Sequence, residues 1–216
     1  MHDPLPLTDP AVIDASVNDR RESLIDIRTV VALRVDDRMS STNEWFALLR
    51  AMVVDRLVIA QSLLPRGIRL LLVEGCRTPA LQQAHFDAYC DDLRLGNPHW
   101  TDQRIAAEAA WYCAPPSAAP HLTGAAVDLT LCTINGVELP MGCAIHAGPT
   151  ASASLCATDA PGLSPQERQN RTTLSAALTQ VGMVNLPSAW WHWSYGDRYW
   201  CTRTGATHAS YGPIEL

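Results

Sequence analysis

Two segments that lie more than sixty residues apart carry the side chains that most constrain the fold of this chain. The first contains His121 and Asp128, and the second contains His192. Residues 126–131 and 190–195 both alternate in the way that is typical of β-strands with one face toward a core. On each strand the polar residue falls on the face opposite the large apolar ones. The sequence therefore predicts that a sheet brings these three side chains to one cleft.

Two imidazoles and one carboxylate form a ligand set that is typical of catalytic rather than structural zinc. Structural zinc sites are closed by four protein ligands, whereas three protein ligands leave a tetrahedral ion one position for water. A single histidine on a strand is usually a hydrogen-bonded core or surface residue. His121 and His192 differ because they occur together with Asp128 in a matching arrangement. We therefore predict Zn²⁺ as the cofactor, bound by these three residues.

The composition predicts a single globular domain over residues 1–216. Hydrophobic residues make up 47% of the chain and the mean hydropathy is −0.02, which suffices to bury a core. The net charge is −6 and the isoelectric point is about 5.6, and no stretch concentrates positive charge. Nucleic acid is therefore excluded as an expected partner.

The sequence predicts a cytoplasmic protein without a membrane partner. Residues 1–6 lack the basic and apolar stretches of a signal peptide, and no run approaches eighteen apolar residues. The seven cysteines are odd in number and are never spaced as Cys-x-x-Cys. This spacing argues against both a disulfide framework and a thiolate zinc site.

Helices and strands follow each other irregularly along the chain. A capping box at residues 41–44 predicts a helix that continues to Leu63. Further helices are predicted over residues 79–95, 101–113 and 164–182. Strands are predicted over residues 24–28, 68–73, 126–131, 190–195 and 198–202. Residues 142–161 lack any periodicity and are predicted to form a long loop that borders a site. The fold class is α+β, with helices packed around a mostly antiparallel sheet whose strands carry the ligands.

Arg77 follows the strand predicted over residues 68–73, at the point where that strand opens into a loop. The alternative interpretation is that Arg77 forms only a surface salt bridge with Glu74. The position at a strand end favours a place in the site.

The chain resembles the zinc D-alanyl-D-alanine dipeptidases, including the vancomycin-resistance dipeptidases, over nearly its whole length. His121 and Asp128 match the family's first two metal ligands, with six residues between them. Further resemblance is carried by residues 22–28, 74–77, 193–200 and 211–214. It implies the zinc peptidase fold of that family, with His192 as the third ligand from a Glu-x-x-His motif. It also implies that Arg77 stabilises the tetrahedral intermediate.

Three positions depart from the family's pattern. The family's catalytic glutamate falls at Ala189, so the group that moves a proton from the zinc-bound water to the leaving amine is missing. Ala119 stands where relatives often carry a serine, and Pro140 and His146 stand where relatives carry residues that hold the substrate's amino end. The candidate substrate contacts are therefore Ala119, His146 and Trp191, the last as part of the cleft wall.

We expect a zinc dipeptidase that acts on a small dipeptide with D-configured residues and is impaired by Ala189. Either a deliberate substitution or natural divergence accounts for this alanine. Two alternatives remain open. One is an enzyme that uses zinc and Arg77 to polarise a carbonyl for acyl transfer or cyclisation without hydrolysis. The other is a protein that binds a peptide or metabolite at zinc without converting it.

Overall fold

The strands of this computed structural model, which describes residues 5–147 and 155–214, form two sheets. The described strands are β1 (Leu24–Asp26), β2 (Arg34–Val35), β3 (Leu48–Arg50), β4 (Ile68–Glu74), β5 (Ala126–Thr133), β6 (Val184–Leu186) and β7 (Ala189–Ser194). Five of them form one sheet in the order β2-β4-β5-β7-β6, and β1 pairs with β3. Within the larger sheet β2 is parallel to β4, and the other three pairs are antiparallel. The predicted α+β fold with a mostly antiparallel sheet is confirmed.

Helices surround this sheet. The described α-helices are α1 (Pro10–Ile13), α2 (Ala51–Leu63), α3 (Pro79–Gly96), α4 (Asp102–Ala109), α5 (Pro165–Gln180) and α6 (Arg198–Thr204). Helices α2 and α5 pack against each other, and α5 also contacts β5. Within residues 5–147 and 155–214, none of the helices combines the length and the apolar composition that crossing a bilayer requires.

Strand β5 lies in the middle of the larger sheet and is hydrogen-bonded to β4 on one side and β7 on the other. Val127, Leu129 and Leu131 are fully buried in the main core, as their alternation predicts. Asp128 and Thr130 lie on the opposite face and are also buried. A strand that is covered on both faces and paired along both edges gives its side chains a fixed position.

Helices α3 and α4 pack against each other apart from the main core. Thr78 and Thr101 cap them with side-chain oxygens that accept hydrogen bonds from backbone N–H groups. The contact between the two helices is a small apolar cluster of its own, formed by Cys90, Ile105 and Ala109. Helix α3 occurs where the sequence predicts it, and α4 begins as predicted but ends at Ala109, four residues earlier than expected.

The prediction of one helix from the capping box at residues 41–44 to Leu63 is wrong in its first part. Residues Leu48–Arg50 form β3, which pairs with Leu24–Asp26, and the helix begins at Ala51. The side chain of Asn43 does not cap a helix but donates to Glu74 Oε1 at 2.8 Å. The same side chain accepts from Trp45 N at 3.0 Å, so these two contacts hold a turn where the sequence pattern predicts the start of a helix. The strand predicted over residues 24–28 is correspondingly shorter and lies in the smaller sheet.

The strand predicted over residues 198–202 is also wrong, because this segment forms α6. The chain turns at Gly196, where φ is +84°, and the Asp197 side chain then accepts a hydrogen bond from Trp200 N at 2.7 Å. This N-cap favours a helix over an extended strand.

Replacing Asp197 by alanine is expected to lower the free energy of unfolding by about 1 to 2 kcal/mol, because the first turn of α6 loses its cap. Urea denaturation followed by circular dichroism measures this change. Asp197→Asn is the matched control, since the amide oxygen still accepts from the backbone. If the alanine and asparagine variants are equally stable, the cap does not stabilise the helix.

The segment predicted to be a long loop, residues 142–161, borders the cavity described below. Residues 148–154 lie outside the described part of the chain, and residues 142–147 and 155–161 form neither an α-helix nor a strand. Arg171 on α5 contacts the chain on either side of the undescribed residues, because its guanidinium donates to the carbonyl oxygens of Met141, just before this segment, at 2.7 Å and of Leu155 at 2.6 Å. The predicted capping box of α5 at Ser164 and Glu167 is present.

Candidate metal centre

The three predicted ligands lie on neighbouring parts of the sheet. Asp128 on β5 is the direct cross-strand partner of His192 on β7. His121 lies in the 3-10 turn Pro120–Thr123, which leads into β5 through Gly124. Gly124 has a φ of +67°, and a Cβ atom there would lie 2.7 Å from a leucine side chain. The positive φ therefore favours glycine at this turn, which brings His121 back over the end of the strand.

The ligand atoms of these residues form a compact triangle. His121 Nε2 lies 3.1 Å from His192 Nδ1 and 3.3 Å from Asp128 Oδ2, and His192 Nδ1 lies 3.0 Å from Asp128 Oδ1. In a tetrahedral zinc site with bonds of about 2.0 to 2.1 Å, neighbouring ligand atoms are separated by about 3.3 Å. All three side chains are at most 5% exposed. The triangle therefore has the size that one small divalent cation requires.

The protonation states of the triangle suit a cation. His121 Nδ1 lies 2.6 Å from the carbonyl oxygen of Gly75, which can only accept a hydrogen bond, so Nδ1 carries the proton and Nε2 presents a lone pair. Burial, followed by the charge of Arg77, lowers the pKa of His121. Burial acts to raise the pKa of Asp128, but its interaction with His121 and its hydrogen bonds with the other two neighbouring histidines outweigh burial and hold this pKa well below its usual range.

Arg77 lies beside the triangle and is buried. Its Nη2 atom is 2.5 Å from Glu74 Oε2 and 3.2 Å from Asp128 Oδ2, and its Nη1 atom donates to Gln82 Oε1 at 3.2 Å. Burial acts to raise the pKa of Glu74, but the charge and hydrogen bond of Arg77 outweigh it and lower this pKa. The alternative interpretation of Arg77 as a surface salt-bridge partner is therefore wrong. Its pair with Glu74 is internal, and its Nε atom has no hydrogen-bond partner among the described residues.

His146 contributes to a second group of potential ligands with Glu74 and Asp128. Its Nε2 atom lies 2.7 Å from Asp128 Oδ2 and 3.5 Å from Glu74 Oε2, and its φ is +60°. Arg77 contacts both carboxylates of this group, so a positive charge already balances them. The triangle is therefore a better candidate cation site than this second group.

The triangle opens into a cavity of about 390 Å³, within the range of small-molecule sites. Besides the three ligands, the cavity is lined by the other residues that the sequence predicts for the site, namely Arg77, Ala119, His146, Ala189 and Trp191. Ala189 is the first residue of β7 and presents a methyl group to the cavity. The ring of Trp191 lies edge-on to that of His146, with 6.2 Å between the ring centres.

The sequence did not identify the buried residues that hold Arg77. Glu74 was considered only as a surface partner, although its place at the end of a buried strand was a signal. Asn43 and Gln82 gave no signal, because each is fixed in place by a long-range contact. Asn43 donates to Glu74 Oε1, and Gln82 accepts from Arg77 while donating to the carbonyl oxygen of Ala114 at 2.8 Å.

The family described as D-ala-D-ala dipeptidase matches residues 23–210, a range that contains the whole candidate metal centre. The chain belongs to the D-Ala-D-Ala dipeptidase family. The family expected from the sequence is confirmed, and membership supports a peptidase function.

Similar proteins include one curated relative and several solved structures. A D-alanyl-D-alanine dipeptidase from Synechocystis sp. is 30% identical over 114 residues, which are 47% of this chain and 46% of that protein, so the match spans less than half of its length. A glutamate-to-alanine mutant of the vancomycin-resistance D,D-pentapeptidase VanY with Zn(II) is 16% identical, with 85% of each chain covered and a TM-score of 0.43. VanYB with D-alanine-D-alanine is 17% identical, with 85% of this chain and 84% of that chain covered and a TM-score of 0.45.

Proposed function

We propose that this chain is a zinc-dependent dipeptidase that acts on a small dipeptide with D-configured residues, and that Ala189 slows its hydrolysis. The observation that carries the proposal is the convergence of His121, Asp128 and His192 at a cavity in a member of this family. The name of the Synechocystis relative supports D-configured substrates.

Each part of the cavity has a role in this proposal. Zinc, when bound, lowers the pKa of a water molecule and polarises the substrate carbonyl. His121, Asp128 and His192 would hold the ion, and the sheet fixes their positions. Arg77 is held by Glu74 and Gln82, and it would stabilise the negative charge that develops on the carbonyl oxygen.

Ala189 determines how fast such a site can work. Peptide hydrolysis requires a group that takes a proton from water and gives one to the leaving amine. The methyl group of Ala189 can do neither. The ligand set is unaffected, because position 189 supplies no metal ligand. The proposal is therefore a site that binds zinc and substrate but converts the substrate slowly.

The same alanine favours a second candidate function. A cavity without a proton carrier at position 189 suits acyl transfer or cyclisation, in which zinc and Arg77 polarise a carbonyl and water is not the nucleophile. Conversion of an acyl substrate without hydrolysis by the chain as it stands would support this function over the first.

Purified protein is expected to bind one zinc ion per chain. At a zinc concentration about 1000 times the Kd, binding stabilises the folded state by about 4 kcal/mol, which raises the Tm by about 8 to 16 °C. Elemental analysis and thermal denaturation with and without a chelator measure both quantities. Magnesium serves as the control ion, because it prefers oxygen ligands and should give little shift. Absence of both zinc and a Tm shift would contradict the proposal.

Ester cleavage is expected to be less impaired than amide cleavage. An alkoxide leaves without a proton more readily than an amine does, so the missing proton donor affects the amide more. The measurement is kcat/KM for a D-dipeptide and for the matched ester, in this chain and in Ala189→Glu. The glutamate should improve the amide more than the ester. Equal improvement of both substrates would show that position 189 does not supply the proton to the leaving group.

A further inference from the structure

Among residues 5–147 and 155–214, the cavity beside the candidate metal centre has no carboxylate available to bind a positively charged group. Its described lining contains the guanidinium of Arg77 and four histidines, but only two carboxylates, Asp92 and Asp128. Asp128 already contacts three of those histidines and Arg77. A ligand that enters the cavity therefore meets cationic and neutral groups but no free buried carboxylate among the described residues.

The other described acidic residues near the cavity, Asp92 and Glu74, do not change this balance of charge. Asp92 is exposed on α3, where water and salt screen its charge. Glu74 is fully buried and is bonded to Arg77 and Asn43.

The balance of charge in the cavity lining disfavours a substrate with a free amino end. The α-amino group of a free dipeptide has a pKa near 8 and is largely an ammonium at neutral pH. Moving it out of water is costly unless an opposite charge compensates, and both zinc and Arg77 would repel it. An acylated amino end carries no charge. Its acyl group also fits a lining that includes Ala88, Tyr89 and Leu186.

We propose that the site takes peptides whose amino end is acylated, in preference to free dipeptides. This inference rests on the proposed function and specifies its substrate class. The acyl group can be a small cap or the preceding residue of a longer peptide, since both remove the ammonium.

Calorimetric titration of the zinc-loaded protein tests the inference without requiring turnover. The ligands are D-Ala-D-Ala, N-acetyl-D-Ala-D-Ala and N-acetyl-Gly-D-Ala-D-Ala. Both acetylated ligands, or only the acetylated dipeptide, are expected to bind at least about 10-fold more tightly than the free dipeptide. Binding of the acetylated tripeptide indicates that the cavity admits a longer peptide. Equal or tighter binding of the free dipeptide would overturn the inference.

A charge introduced at Ser188 tests whether electrostatics cause the preference. Ser188 lines the cavity beside Ala189, and its hydroxyl donates to the carbonyl oxygen of Trp111. Ser188→Asp is expected to improve binding of the free dipeptide about 10-fold relative to the acetylated one. Ser188→Asn, of the same size but uncharged, should keep the original preference. If the two variants show the same preference, the charge balance is not its cause and the inference fails.

The outcomes separate this inference from the function on which it rests. If the protein holds zinc but binds none of the three ligands, the proposed function is contradicted, and the inference with it. If the free dipeptide binds best, the dipeptidase proposal stands and only the inference is lost. Zinc content is measured for each Ser188 variant, so that a change in binding is not caused by loss of the ion.

Discussion

Replacing Ala189 by glutamate is expected to raise the rate of dipeptide hydrolysis by about 10² to 10⁴-fold. The new carboxylate would stand at the start of β7, facing the cavity into which the three ligands open. It can take a proton from the metal-activated water and return one to the leaving amine. The measurement is kcat/KM for a D-configured dipeptide, with product detected as free amino acid.

Ala189→Gln is the matched control for this variant. Glutamine has nearly the same size as glutamate but cannot carry a proton, so it should leave the rate close to that of the present chain. A glutamate variant that binds zinc but cleaves no dipeptide of either configuration would refute the dipeptidase proposal. An equal gain with glutamine would mean that filling the cavity, and not proton transfer, raises the rate.

Replacing Asp128 by asparagine is expected to weaken zinc binding more than about 100-fold, because loss of an outer partner of a ligand alone costs about 10- to 100-fold. The substitution keeps the shape of the side chain but removes the negative charge that faces the histidines and Arg77. Zinc affinity is measured by competition with a chromogenic chelator.

Asp92→Asn is the matched control, because Asp92 also lines the cavity but is exposed and has no part in the triangle. It should bind zinc as tightly as the unchanged chain. Equal zinc affinity in the Asp128 and Asp92 variants would show that the ion is bound elsewhere.

The alternation of residues was sufficient to predict the part of the fold that carries the site. It placed Asp128 and His192 on strands, and the structure makes them direct cross-strand partners. It also placed Arg77 just after β4. These predictions succeed because a strand buried on one or both faces shows its pattern in a few consecutive residues.

Local signals gave one correct helix start, the capping box of α5, but two others were misleading. The residues at 41–44 match a helix start, but the contact of Asn43 with Glu74 holds them in a turn. Gly196 and Asp197 suggested a hairpin, but Asp197 caps α6 instead. Glu74 and Gln82, which hold Arg77, are themselves fixed by Asn43 and Ala114, and no short pattern can indicate contacts between residues so far apart in sequence.

The small cluster of α3 and α4 is separate from the main core. This separation allows ligand preference and metal binding to change independently at this site. The candidate metal ligands lie on β5, on β7 and in the turn before β5, whereas one wall of the cavity, including His85, Ala88 and Tyr89, belongs to α3. Substitutions on this helix can change which ligand is preferred while the triangle of candidate metal ligands stays in place. For protein engineering, α3 is therefore the place to diversify in a library, with β5 and β7 left unchanged.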